Sequence, residues 1–68
     1  MANSMYFSNR IREIRKAKNL TLADISGSIG ISIAYLSDIE RGNRHGSNGT
    51  LKRIADALGV SVDELEVA

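Results

Sequence analysis

Apolar residues recur along the chain at helical rather than strand spacing. Phe7, Ile11 and Ile14 fall at i, i+4 and i+7, the stripe that an amphipathic helix buries, and Lys18 closes it. Asn19 follows, a residue that tolerates the left-handed conformation in which many helices end. Thr21 then predicts the cap of a second helix, with Asp24 three residues on in a variant of the capping box. Ile25 and Ile29 form the inner face of that helix and Gly30 its end. Ser32 predicts the third cap. Ile31 before it and Leu36 at the fourth helical position have the spacing of a hydrophobic staple, and Ile39 continues the apolar side. After the glycine-rich stretch GNRHGSNG, Ser47 predicts the cap of a fourth helix, with Leu51, Ile54, Ala55 and Leu58 inward and Gly59 at its end. Ser61 and Glu64 form an S-x-x-E capping box for a short fifth helix carrying Val62 and Leu65. No stretch alternates for more than a few residues, so no strands are expected. The pattern predicts an all-α fold, a compact five-helix bundle with brief connections and contacts local in sequence, a topology that folds fast.

The most specific unit lies within residues 21–42. Two helices joined by a turn of three or four residues cross at roughly 90–120° in a helix-turn-helix. That crossing needs a small residue where the helices touch and a glycine at the turn. Ser26 and Gly30 meet both needs.

Sixty-eight residues make one domain, taken here as 1–68, and a chain of this size buries only about 60% of its unfolded surface. There is no cysteine, and His45 is the only histidine, so neither a disulfide staple nor a protein-built metal site is expected. No apolar run is long enough to span a membrane and no signal-peptide pattern is present, which predicts a cytoplasmic location. The net charge of +1 conceals a strong polarity. Residues 1–20 carry Arg10, Arg12, Arg15, Lys16 and Lys18 against Glu13 alone. Residues 41–53 add Arg41, Arg44, Lys52 and Arg53 with no acid, and thereafter Asp56, Asp63, Glu64 and Glu66 stand unopposed. A basic end and an acidic end follow, an unevenly charged solvated surface being the plainer reading.

Several chemistries drop out. GSIG at residues 27–30 fits the GxxG of KH domains, but that fold needs a sheet. Neither GxxxxGK[ST] nor GxGxxG occurs, and His45 in a glycine-rich loop has no triad partners. The chain is therefore not expected to be an enzyme, and no cofactor or small-molecule ligand is expected.

IREIRKAKNLTLADISGSIGISIAYLSDIERGNR, followed by TLKRIADALGVSVDEL, resembles the Cro/C1-type (Xre-like) helix-turn-helix domain of phage repressors and bacterial transcription regulators. The likeness runs without a gap over about residues 10–66, and YLSDIERG and IADALGVSVDEL are its most specific parts. It implies a lambda-repressor-like bundle in which helices 2 and 3 read DNA. The implied function is that of a double-stranded DNA-binding transcription regulator, a repressor occupying a palindromic operator as a homodimer, at the nucleoid of a bacterial cell or on phage DNA. The resemblance also implies roles for residues. Glu40 matches the family's acid that pairs with a helix 1 arginine, and Arg15 lies at the matching position. Helical spacing agrees, since each flanks an apolar stripe. Ser32, Ile33, Ala34, Ser37 and Asp38 fall where helix 3 enters the major groove. Ile33 and Ala34 suit thymine methyls, Ser37 almost any base edge, and Asp38 a cytosine amino group. Phosphate contacts are implied for the starts of helices 2 and 4, at Thr21, Leu22, Ser47 and Asn48, because free N–H groups and the helix dipole attract anions there. Tyr35, Arg41, Asn43, Arg44 and His45 complete the phosphate set.

The chain departs from the family in two places. Leu22 stands where a phosphate-binding glutamine is common, and Gly46 stands where many members have proline, which predicts a more mobile loop. So few bidentate groups on helix 3 mean weak discrimination by one domain, and a partner surface is expected on Val62, Leu65 and Val67. The alternative is a protein-interaction module on the same fold, of antitoxin or bridging-factor type; the missing glutamine favours it and the basic end opposes it.

Overall fold

The computed structural model describes the backbone of residues 2–65 and the side chains of residues 10–65. Phe7 and Val67, assigned above to the first apolar stripe and to a partner surface, fall outside the described side chains. Among the described residues five helices follow in order: α1 (Ala2–Ala17), α2 (Leu22–Ile29), α3 (Ile33–Glu40), α4 (Asn48–Leu58) and α5 (Val62–Leu65). The principal helix contacts run from α1 to α3, on to α2, α4 and α5, and back to α1, so the chain closes a ring around its core.

Short polar side chains set where the helices begin. The Thr21 hydroxyl accepts the Asp24 N–H at 3.0 Å while the Asp24 carboxylate accepts the Thr21 N–H at 2.9 Å, a reciprocal pair that satisfies two otherwise orphaned donors. Ser32 accepts the Tyr35 N–H at 3.0 Å and Ser47 that of Thr50 at 3.1 Å. Before α5 the Glu64 carboxylate accepts the Ser61 N–H at 3.0 Å. Helix ends are closed by left-handed residues. Asn19 reaches φ 59°, the only non-glycine residue at positive φ among those described, and the Leu20 N–H returns to the Arg15 carbonyl at 3.0 Å. At the sharp turn between α2 and α3, Gly30 adopts φ 75°, and the N–H groups of Gly30 and Ile31 both reach the Ser26 carbonyl. A side chain at Gly30 would oppose this left-handed backbone by roughly 1–2 kcal/mol.

The core comprises Ile11, Ile25, Ile29, Leu36, Ile39, Leu51, Ile54, Ala55, Leu58 and Leu65. Ser26 is buried among them, its hydroxyl donating to the Ala23 carbonyl at 3.3 Å, so α2 and α3 approach closely with no polar group stranded. Two sequence expectations change. Lys18 lies beyond the end of α1 and is exposed; the half-buried Leu20 packs against the core instead. Leu65 is fully buried and offers nothing to a partner, because a helix of four residues stays attached only by placing its apolar side chain in the core. Among the described residues, no helix is long and apolar enough to cross a membrane.

Candidate nucleic-acid interface

Helix α3 has two faces with different duties. On the inner one, Leu36 and Ile39 enter the core and Glu40 receives Arg15 from α1. The Arg15 Nε donates to Glu40 Oε2 at 2.7 Å and its Nη2 to Oε1 at 3.0 Å, a two-pronged pair with both residues 9% exposed. A third donor, Nη1, reaches the Leu20 carbonyl at 2.9 Å. One guanidinium thus ties together α1, the turn after it and α3. Its hydrogen bonds to Glu40 hold the Arg15 pKa above the ordinary arginine value, against the opposing effect of burial. The pair fixes the rotation of α3 about its axis, and that rotation decides which residues face outward.

The outer face begins at the cap. Ser32, Ile33 and Ala34 are exposed, and Ser37 is half-buried one turn on. Ile33, at 50% exposed, is the one exposed large apolar side chain among the described residues. Asp38 and Tyr35 flank this strip, both half-buried. Past the helix, Gly42 turns left-handed at φ 81°, its N–H reaching the Ile39 carbonyl at 3.1 Å, while the Asn43 N–H returns to the Asp38 carbonyl at 2.9 Å. This Schellman closure turns the chain back alongside α3. It delivers Arg44 to a place where its guanidinium lies 5.6 Å from the Tyr35 ring centroid and its Nε is 3.5 Å from Asp38 Oδ2. Tyr35, Asp38 and Arg44 therefore form one cluster. Arg41, Asn43, His45, Ser47 and Asn48 are exposed along the segment that leads to α4. Gly46 sits within it at φ 72°, where a Cβ would come 3.1 Å from Ile39 Cδ1.

The two helix starts differ. At α2 the Thr21 N–H and hydroxyl are both engaged with Asp24, the Leu22 side chain packs against the core, and a carboxylate occupies the first turn. The α4 start has no acid in its first turn, and the exposed Lys52 follows. As an anion site α4 is the stronger of the two. Donation from Thr21, chiefly from its backbone N–H, holds the Asp24 pKa below the ordinary carboxylate value, so that first turn stays negatively charged.

Basic residues are less available than their number implies. Arg15 is consumed inside the fold. Arg10 pairs with Glu13 at 3.2 Å and donates to the Glu64 carbonyl. Arg53 donates to the Ile29 carbonyl, closing the end of α2 from α4. Neither the contact of Arg10 with Glu64 nor that of Arg53 with Ile29 carries a local sequence signal. Arg12, Lys16, Lys18, Arg41 and Lys52 are exposed.

Two short helices crossing at a left-handed glycine, the second held to the core on one side and bare on the other, define a helix-turn-helix domain. The chain belongs to the helix-turn-helix family of the Cro/C1 type (HTH_3), whose family model matches residues 11–65. It is 43% identical over 61 residues to the HTH-type transcriptional regulator DdrOP3 of Deinococcus deserti, a match covering 90% of this chain and 47% of that protein. It is 38% identical over 61 residues to the immunity repressor protein of Bacillus phage phi105, covering 90% of this chain and 42% of that one. The chain thus spans about half the length of these relatives or less. Among solved structures it superposes on the restriction-modification controller protein C.AhdI from Aeromonas hydrophila with a TM-score of 0.90 at 32% identity, covering 96% of this chain and 98% of that one. By name these relatives are a transcriptional regulator, an immunity repressor and a controller protein, and the chain shares with them the helix-turn-helix domain of transcription regulators.

Proposed function

We propose that the chain forms a single sequence-reading domain that represses transcription from a palindromic operator as a homodimer, in the cytoplasm, with α3 in the major groove. The observation that carries this reading is the division of α3: Leu36, Ile39 and Glu40 lock one side, and the exposed Ser32, Ile33 and Ala34, with the half-buried Ser37, lie outside the core on the other. Small side chains there let the helix approach base edges closely. Ile33 and Ala34 would pack on thymine methyls, and the Ser37 hydroxyl would donate or accept at a base edge. Ser32 already accepts the Tyr35 N–H, so its hydroxyl hydrogen is what remains for a base or phosphate.

Phosphate contacts would centre on α4, where the N–H groups at Ser47 and Asn48 meet no local acid and Arg41, Asn43 and His45 lie close along the chain. Thr21 and Leu22 would contribute less, because Asp24 places a carboxylate where a phosphate would sit. With Leu65 in the core, a homodimer would have to use other surface, Val62 remaining partly accessible.

Selection of binding sites from random duplex DNA tests the proposal, with affinity for the enriched sequence measured at two salt concentrations. Enrichment of a two-fold symmetric site with half-sites about one helical turn apart is the expected result. No enrichment would refute sequence reading and favour a protein partner.

A further inference from the structure

We infer that Asp38 sets specificity by restraint: it holds Arg44 away from the phosphate backbone unless the bound bases give its carboxylate a new donor. The inference rests on the DNA-binding reading and deepens it. Asp38 holds Arg44 twice. Its carbonyl accepts the Arg44 N–H at 3.3 Å and its carboxylate lies 3.5 Å from Arg44 Nε, with the guanidinium over the Tyr35 ring. The pair is loose enough to exchange partners, since the two side chains remain 62% and 36% exposed and such surface pairs are weak.

The consequence follows from charge. A solvent-accessible carboxylate on a DNA-facing helix repels the polyanion, and Arg44 cancels that charge only while it stays with Asp38. If Arg44 moves to a phosphate, Asp38 is left unpaired beside DNA. A cytosine amino group placed against Asp38 would compensate by donating to it. On a duplex without that donor, Arg44 stays where it is and releases no counterion. Selected and random DNA should then differ by one phosphate contact, on the order of 0.9 in the slope of log affinity against log salt.

The test uses the 68-residue chain with Asp38→Asn, Arg44→Ala and the double variant, titrated against selected and random duplexes across a salt series. Asp38→Asn keeps the backbone carbonyl that closes α3, and its melting temperature checks that the fold is intact. The expected result is tighter binding to random duplex, a slope there steeper by about 0.9, and a selected-to-random ratio about tenfold lower. In the Arg44→Ala background the effect of Asp38→Asn on the slope should vanish. If the wild type selects a sequence but Asp38→Asn leaves both slope and ratio unchanged, or weakens both duplexes alike, the role of Asp38 is refuted while DNA reading stands. A wild type that binds no duplex refutes both.

Discussion

Replacing Glu40 with alanine strips a buried cation of its carboxylate partner. Arg15 would keep one donor on the Leu20 carbonyl and lose two charge-assisted bonds, in a place where its side chain is 11% exposed. Breaking such a pair from one side costs about 3–5 kcal/mol, because the remaining charge stays desolvated. Small domains have about 5–15 kcal/mol in all, so the loss is a large fraction of the total. For a domain of this size each kcal/mol moves the melting temperature by roughly 4–8 °C, which predicts a fall of at least about 12 °C. Thermal and urea unfolding followed by circular dichroism would measure it. Arg15→Met combined with Glu40→Leu should recover part of the loss, since no charge is then buried alone. Because hydrogen bonding to Glu40 raises the Arg15 pKa, the stability contributed by that shift is present below arginine's ordinary pKa and is lost as pH climbs through the raised value. An unchanged unfolding midpoint in Glu40→Ala would refute the claim that this pair orients α3.

Ser37→Glu should abolish specific DNA binding by mobility shift while leaving the melting temperature within a few degrees of wild type; a large fall would place Ser37 in the core. Gly46→Pro, which would bring the chain closer to many family members, should destabilise it by more than about 1 kcal/mol in urea unfolding, because proline cannot adopt φ 72°. Asp24→Asn should flatten the acid side of the stability profile. The folded Asp24 pKa is depressed, so its contribution is present above the ordinary carboxylate pKa and is lost as pH falls through the lowered value; an identical acid profile in the variant would contradict this. Lys52→Ala should weaken binding to all duplexes alike and reduce the salt slope by about one unit, a change confined to one base position counting against a phosphate contact.

What the sequence discloses is local. The hydroxyl caps at Thr21, Ser32 and Ser47 are legible because each bond spans three residues and needs only a side-chain oxygen before a helix. Asn19 and Gly30 are legible as ends for a similar reason. The core positions follow from 3.6-residue spacing, which carries the fold class with them. The pairing of Arg15 with Glu40 spans 25 residues and was visible only through the family resemblance, spacing showing merely that each flanks an apolar stripe. Contacts without such a guide stayed hidden. The bond from Arg53 to Ile29 spans 24 residues and that from Arg10 to Glu64 spans 54, so neither leaves a mark on its neighbours. Asp38 and Arg44 are only six apart, yet they meet only because Gly42 turns left-handed between them. Leu65 reads from the sequence as a partner surface yet lies in the core, because an apolar residue beside acids looks the same whether a partner or the domain's own core covers it.

The most direct test is to titrate the isotopically labelled domain with the selected duplex and follow each backbone amide by NMR. The expected result is that shifts concentrate at residues 32–38 and 43–50, with contacts from the Ile33 methyls to major-groove protons. Shifts confined to α1 and α5, with residues 32–38 unmoved by saturating DNA, would contradict the assignment of α3 as the reading helix.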